Sequence, residues 1–283
     1  MIEVDGPNGA GKTTTISILT TTLAATGGGA TIDGHDIVRE APAVRRQVGI
    51  IFQRPSLDQN LTAEENVRFH VVLFGLYPCR PLYRLMPEAY RRQVGELATL
   101  LGLEREIFDP IRTYSGGMRR KLEIIRSLMH RPKVLFLDEP TAGLDAPSRR
   151  TRWQHLRTVR REHGTTILLT AHYLEEAEQA DRICIINDGR IAAQGTPAAL
   201  KAELSREYLI VDADDRGHLR SELDRLGTRS EGSGPFTIPL DGRGVHATLK
   251  AIDTPLTLVR TESPSLEDAY LEIVARAEVP SDE

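Results

Sequence analysis

The chain has 283 residues, 40% hydrophobic and 27% charged, enough for one large domain and a small one around a sizeable core. Its formal net charge of −4 and pI of about 6.1 exclude the global basic field that would recruit nucleic acid. Cys79 and Cys184 form no metal or disulfide pattern and fit free thiols in a reducing cytoplasm; no apolar run approaches a bilayer span, and no signal segment opens the chain.

Residues 1–5 read as a short strand feeding Gly6, Pro7, Asn8, Gly9, Ala10, Gly11, Lys12 and Thr13. This stretch fits G-x-x-x-x-G-K-[ST], the loop that wraps a nucleotide's phosphates. Its glycines open backbone angles closed to other residues and let amide N–H groups face an anion. Lys12 supplies a point charge for the outer phosphates, and the Thr13 hydroxyl suits magnesium. A helix is expected from Thr14 to about Ala25, closed by three glycines, with its positive end on the same phosphates. Residues 30–34 predict an edge strand and an Asp-Gly turn. Residues 48–53 are an apolar strand ending on Gln53, and strand ends are where α/β proteins place ligand contacts.

From residue 62 to about 127 the texture becomes helical. Segments 63–76, 87–101 and 116–129 carry helical spacing of apolar residues with no strand between them, which predicts a helical block inserted into an α/β core. Residues 83–86, bracketed by prolines, read as part of a long surface loop. Ser115, Gly116 and Gly117 open the third helix. They suit an anion site at its N-terminus, and equally an ordinary serine cap.

The run 134–137 is continuously apolar, as in a strand buried on both faces. It ends in Asp138 and Glu139. Adjacent carboxylates at such an exit fit a metal or proton transfer, and a solvated acidic turn is the alternative. The phosphate loop favours magnesium. After a turn at 142–145 comes an amphipathic helix over 148–163, then a buried strand over 165–170 with His172 beyond it. A lone histidine is usually a surface or packing residue, but this position matches those of Gln53 and Glu139. Residues 182–186 and 190–193 predict a hairpin across Asp188-Gly189, and Thr196 caps a helix with Pro197 at its first position.

Beyond about residue 205 a smaller α+β unit is expected. Its strands read as 208–211, 236–240 and 256–259, and its helices as 216–226 and 266–277. Ser265 and Asp268 form a capping box for the last helix, and no catalytic group is evident. The expected division is an ATPase domain over 1–204, with its helical subdomain at about 62–128, and an accessory domain over 205–283. The fold class is α/β, a P-loop core with a mostly parallel sheet.

Taken together, these motifs resemble the nucleotide-binding subunit of an ATP-binding-cassette (ABC) transporter over nearly the whole chain. Residues 6–13 match the Walker A loop, Gln53 the Q-loop, and residues 114–118 the family signature. Residues 135–138 with Glu139 match Walker B and its catalytic glutamate, residues 142–145 the D-loop, and His172 the switch histidine. The signature form and residues 264–268 resemble the drug-export branch typified by daunorubicin-resistance ATPases.

The resemblance implies a head-to-tail pair of subunits with two sandwiched ATP molecules, attached through a separate permease to the cytoplasmic face of the membrane. Lys12 and the loop amides, with Thr14 beginning the helix, are then expected to hold phosphates. Thr13, Asp138 and Gln53 are expected at magnesium, Glu139 as general base, and His172 at the γ-phosphate. Ser115, Gly116 and Gly117 complete the partner's site. Rival readings are a non-transport ABC ATPase and a degenerate cassette that binds without turnover. Family members carry two further strands before Walker A and an aromatic residue that stacks on adenine, so Met1 is not expected to be the natural start. Without those strands, base recognition is expected to be poor and the sheet edge prone to aggregate. Asp5 puts a charge where the strand is usually apolar, and the helix after His172 is about one residue short of the usual pattern.

Overall fold

A computed structural model describes residues 1–52, 56–141, 145–171, 174–202, 208–240, 244–262 and 265–278. It divides into two compact units, 1–173 with 188–190, and 174–187 with 191–283. In the first unit β1 (Ile2–Asp5) leads through the glycine-rich loop to α1 (Lys12–Leu19). A small hairpin, β2 (Thr31–Ile32) and β3 (His35–Asp36), turns at Asp33 and Gly34, both at positive φ. Then follow α2 (Ala41–Gln47), β4 (Val48–Ile51), α3 (Ala63–Leu73), α4 (Glu88–Leu101), α5 (Gly116–Leu128), β5 (Val134–Leu137), α6 (Ala146–His163) and β6 (Thr166–Thr170).

Within this unit the strand order is β4-β5-β6-β1, with every pairing parallel. The register sets Ile51 beside Leu137, Leu137 beside Leu169, and Val4 beside Thr170. Four strand ends therefore line up along one edge of the sheet, where α/β proteins place ligand contacts. β4 and β5 read as unbroken apolar runs because both faces are covered, while β1 carries Glu3 and Asp5. Phe136 points into a cluster with Ile16, Val44 and Val48, while Leu135 and Leu137 point into one with Leu156, Val159 and the helical block. That block starts with a reciprocal cap, in which Thr62 and Glu65 satisfy each other's backbone N–H groups.

Several expectations shift. α1 stops at Leu19 rather than near residue 25, because a threonine run takes over its carbonyls. The Thr20 hydroxyl donates to the Ile16 oxygen at 2.7 Å and the Thr22 hydroxyl to the Ser17 oxygen at 2.9 Å, and Thr21 sits at a φ of 60°. α3 ends at Leu73, ahead of Gly75 at a φ of 67°. The surface loop at 83–86 contains a short 3-10 turn and is anchored by Met86, 2% exposed in the main apolar cluster. Asp5 is buried, and its carboxylate accepts the Gly6 N–H at 2.6 Å, closing the entry to the loop.

The second unit contains α7 (Leu174–Ala177), β7 (Arg182–Asn187), β8 (Arg190–Gly195), α8 (Pro197–Ala202), β9 (Tyr208–Asp212), α9 (Arg216–Arg225), β10 (Phe236–Pro239), α10 (Val245–Lys250), β11 (Leu258–Glu262) and α11 (Leu266–Glu278). β10-β9-β11 is an antiparallel sheet with its own apolar cluster. β11 lies two residues later than its sequence suggests, and α10 is too short to show a period.

Glu222, 4% exposed, anchors the loop before β11 by accepting the N–H groups of Asp253 and Thr254 and the Thr254 hydroxyl. The Thr254 hydroxyl, followed by the Asp253 amide, holds the carboxyl down to about 2. A depressed carboxylate contributes stability that is present above its unfolded value and lost as pH falls through the folded one. Thermal stability of this unit is therefore expected to fall as pH drops from about 4.5 to about 2. Glu222→Gln should flatten that slope, and a parent-like slope in this variant would show that other carboxylates carry it.

Candidate functional site

The glycine-rich loop leaves β1 and turns into the first residue of α1. Gly9 at a φ of 86° and Gly11 at 106° occupy left-handed backbone that side chains disfavour. Gly11 takes the N-cap position, so the first amides of α1 face outward with no capping side chain. Lys12 is 6% exposed, and its ammonium donates to the Gly6 and Pro7 carbonyls, the latter at 3.2 Å. The Ala10 N–H donates to the Pro7 oxygen at 3.1 Å, and the Gly189 N–H donates to the Ala10 oxygen at 3.0 Å. Asn8, Gly9, Thr13 and Thr14 remain exposed. The result is a fixed rim of amides with a cation at its base, which suits a phosphate chain.

Asp138 meets this loop from the end of β5. The Thr13 hydroxyl donates to its carboxylate at 3.2 and 3.3 Å, although the two residues lie 125 positions apart. Asp138 is 5% exposed and is oriented from below by the Thr170 hydroxyl, which donates to Oδ1 at 2.9 Å. The same Thr170 oxygen accepts the Glu139 N–H at 2.9 Å. Glu139 sits at a φ of 46°, uncommon for a residue with a β-carbon and typical of functional turns. One threonine on β6 thus holds the Asp138 carboxylate and the Glu139 backbone.

Arg120, buried on α5, completes the support. It donates to the Phe52 carbonyl, to the Asp138 carbonyl at 3.1 Å, and to the Glu123 carboxylate at 3.1 Å. Burial lowers the pKa of its guanidinium, opposed by Glu123 and then Asp138. Glu123 in turn accepts the Ser56 N–H at 3.0 Å, and Arg126 donates to the Ser56 oxygen and hydroxyl. Arg152 donates to the Pro140 carbonyl and fixes the chain after Glu139.

Thr170, Arg120 and Arg152 are absent from the sequence reading. Thr170 had a usable signal as a polar residue ending a buried strand, the argument applied to Gln53. Arg120 and Arg152 sit among other basic residues, and nothing in the pattern marks which of them turn inward.

Ser115 is the N-cap of α5, accepting the Met118 N–H at 3.2 Å, with Gly116 and Gly117 in the first turn. It is therefore a serine cap, and its exposure leaves the helix end open to a ligand as well. Gln53, His172 and residues 142–144 lie outside the described residues. Among the described residues no group of three or more His, Cys, Asp or Glu side chains could hold a metal. The oxygen pair of Thr13 and Asp138 still fits magnesium, which takes one or two protein ligands and completes its shell with phosphate and water.

Residues 1–142 match the family model described as ABC transporter. A daunorubicin resistance ATP-binding protein from Streptomyces coeruleorubidus is 39% identical over 253 residues, covering 89% of this chain and 73% of that protein. A Nod factor export ATP-binding protein from Paraburkholderia xenovorans is 38% identical, covering 96% and 86% respectively. The dimeric post-hydrolysis structure of the ATP-binding cassette MJ0796 with ADP and Pi aligns at a TM-score of 0.59 and 27% identity. That alignment covers 69% of this chain and 84% of that one.

Proposed function

Since the chain belongs to the ABC transporter family as an ATP-hydrolysing subunit, we propose that it drives export of a drug-like or lipophilic compound through a separate permease. The observation that carries the site assignment is the meeting of Thr13 and Asp138 beside Glu139. In this reading Gly6, Pro7, Asn8, Gly9, Ala10, Gly11 and Thr14 shape or donate to the phosphate cradle, and Lys12 reaches the outer phosphates. Thr13 and Asp138, with Gln53, hold magnesium, which neutralises charge on the phosphates. Glu139 takes a proton from the attacking water as general base, His172 steadies the γ-phosphate, and Gln53 senses the state of the site.

Ser115, Gly116 and Gly117 close the site of a second copy, so activity depends on pairing. The ATPase portion is assigned to 1–204 and an accessory domain to 205–283. Hydrolysis that stops with a chelator and returns with magnesium is the expected result; turnover indifferent to both would overturn the metal assignment.

Among the described residues no helix is long and apolar enough to cross a membrane. We assign the permease contact to the surface between residues 57 and 76. Arg68 on that surface is tied to Glu64, Glu65 and the Arg80 carbonyl, with its side chain 12% exposed. The available groups are Phe69 at 61% and Leu73 at 71% exposed, four positions apart on α3. Phe69→Asp with Leu73→Asp is expected to cut recovery with permease-bearing membranes several-fold while ATP binding stays at the parental level. Unchanged recovery would place the contact elsewhere.

A further inference from the structure

The antiparallel sheet of the second unit, β10-β9-β11, treats its two edges differently. The outer side of β10 is taken up. Thr237 exchanges two backbone bonds with Glu231, at 2.9 and 3.0 Å, and the strand ends on Pro239, which has no N–H to offer. β11 has neither device. Its five residues include no proline, all are exposed, and among the described residues its only strand partner is β9. Alternate N–H and C=O groups of such an edge point away from the sheet, and a row of them is a template for another strand.

The side chains of β11 narrow down which strand fits. Val259 and Thr261 stand opposite Val211 and Leu209 of the apolar cluster, whereas Arg260 and Glu262 stand opposite Ile210 and Tyr208 on the other face. The Arg260 and Glu262 side chains are 60% and 56% exposed and 3.6 Å apart, a cation and an anion at neighbouring sites of one face. A second copy of this strand, antiparallel about a two-fold axis at Thr261, sets each arginine opposite the other copy's glutamate. An axis at Arg260 instead sets arginine against arginine and Leu258 against glutamate. Charge therefore selects the axis at Thr261.

We propose that β11 is a dimerisation edge, which pairs with β11 of a second copy about Thr261 and joins two three-stranded sheets into one of six. No nucleotide takes part, so this contact is separate from the ATP-dependent pairing assigned above. Two five-residue strands cover far less area than a stable interface, so the association is weak, with a Kd of roughly 10⁻⁴ M. Dilute chain without ATP is then monomeric.

The test is sedimentation equilibrium of the nucleotide-free full chain from about 10 µM to about 1 mM, where the parent is expected to pass from monomer to dimer. Arg260→Glu sets glutamate against glutamate at both symmetric positions, and Glu262→Arg sets arginine against arginine. Each is expected to weaken association about tenfold. That is about 1.4 kcal/mol shared by two pairs, within the range of cross-strand charges. An equimolar mixture of the two variants restores glutamate against arginine and should associate about as well as the parent. A parent monomeric throughout, single variants that associate like the parent, or a mixture no better than its components would each overturn the proposal. Should a charge reversal fail to fold, Arg260→Gln and Glu262→Gln read the same contact: weaker association in both supports it, and an unchanged Kd overturns it. The ATP-dependent shift of Glu139→Gln reads the other pairing, so either assignment can fail alone.

Discussion

Glu139→Gln is expected to bind ATP and lose hydrolysis by roughly 10²- to 10⁴-fold, the usual contribution of a positioned general base. The substitution keeps the side chain's shape and removes its capacity to take a proton. The backbone that aims it should persist, because the Glu139 N–H bond to Thr170 does not involve the side chain. Asp138 keeps its bonds from Thr13 and Thr170, so the pair assigned to magnesium stays in place. ATP that binds and is not cleaved should hold two copies together. Gel filtration with ATP is then expected to shift to twice the monomer mass, and single-turnover assays to show intact nucleotide. Parental cleavage in this variant would remove Glu139 from the role.

Thr170 offers a finer check on the same geometry. Its hydroxyl bonds Asp138 and Glu139 together, so its loss should disturb both at once, whereas the glutamine exchange disturbs one.

The groups assigned to phosphate were legible because their chemistry restricts composition locally. A loop that turns amides toward an anion needs glycine at particular steps, and Gly9 and Gly11 do occupy positive φ. Buried parallel strands need unbroken apolar runs, and their ends then announce where loops converge, which is how Asp138 and Glu139 could be placed. What escaped notice depends on contacts far apart in sequence. Arg120 lies among Arg119, Lys121 and Arg126, and its inward turn is decided by the carbonyls of Phe52 and Asp138, 68 and 18 positions away. The early end of α1 was hidden for another reason: threonines are compatible with a helix by period, yet their hydroxyls compete for its carbonyls. β11 gave a poor signal because all five of its residues are exposed; its register comes from pairing with β9, not from an apolar face.

Arg120→Leu should be the most damaging single change to stability at the site, costing about 3–5 kcal/mol. The side chain's volume is largely retained, so the loss is electrostatic. Glu123, 2% exposed, would keep the Ser56 amide and lose its charged partner, while the Phe52 and Asp138 carbonyls lose their donor. An unpaired buried carboxylate is worse than none, so Arg120→Leu with Glu123→Leu is expected to recover much of the loss. Arg120→Lys should fall between parent and leucine, since one ammonium cannot span three acceptors that a planar fork reaches together. Urea unfolding midpoints for the parent, Arg120→Leu, Glu123→Leu and the double variant form the required cycle. Simple additivity of the two leucine variants would mean that the ion pair is not what stabilises this corner. Turnover provides the second reading. Arg120 ties the carbonyl of Asp138 to that of the residue just before Gln53, so Arg120→Lys, assayed where it is fully folded, should need more magnesium for half-maximal rate. An unchanged magnesium dependence would confine Arg120 to holding the fold.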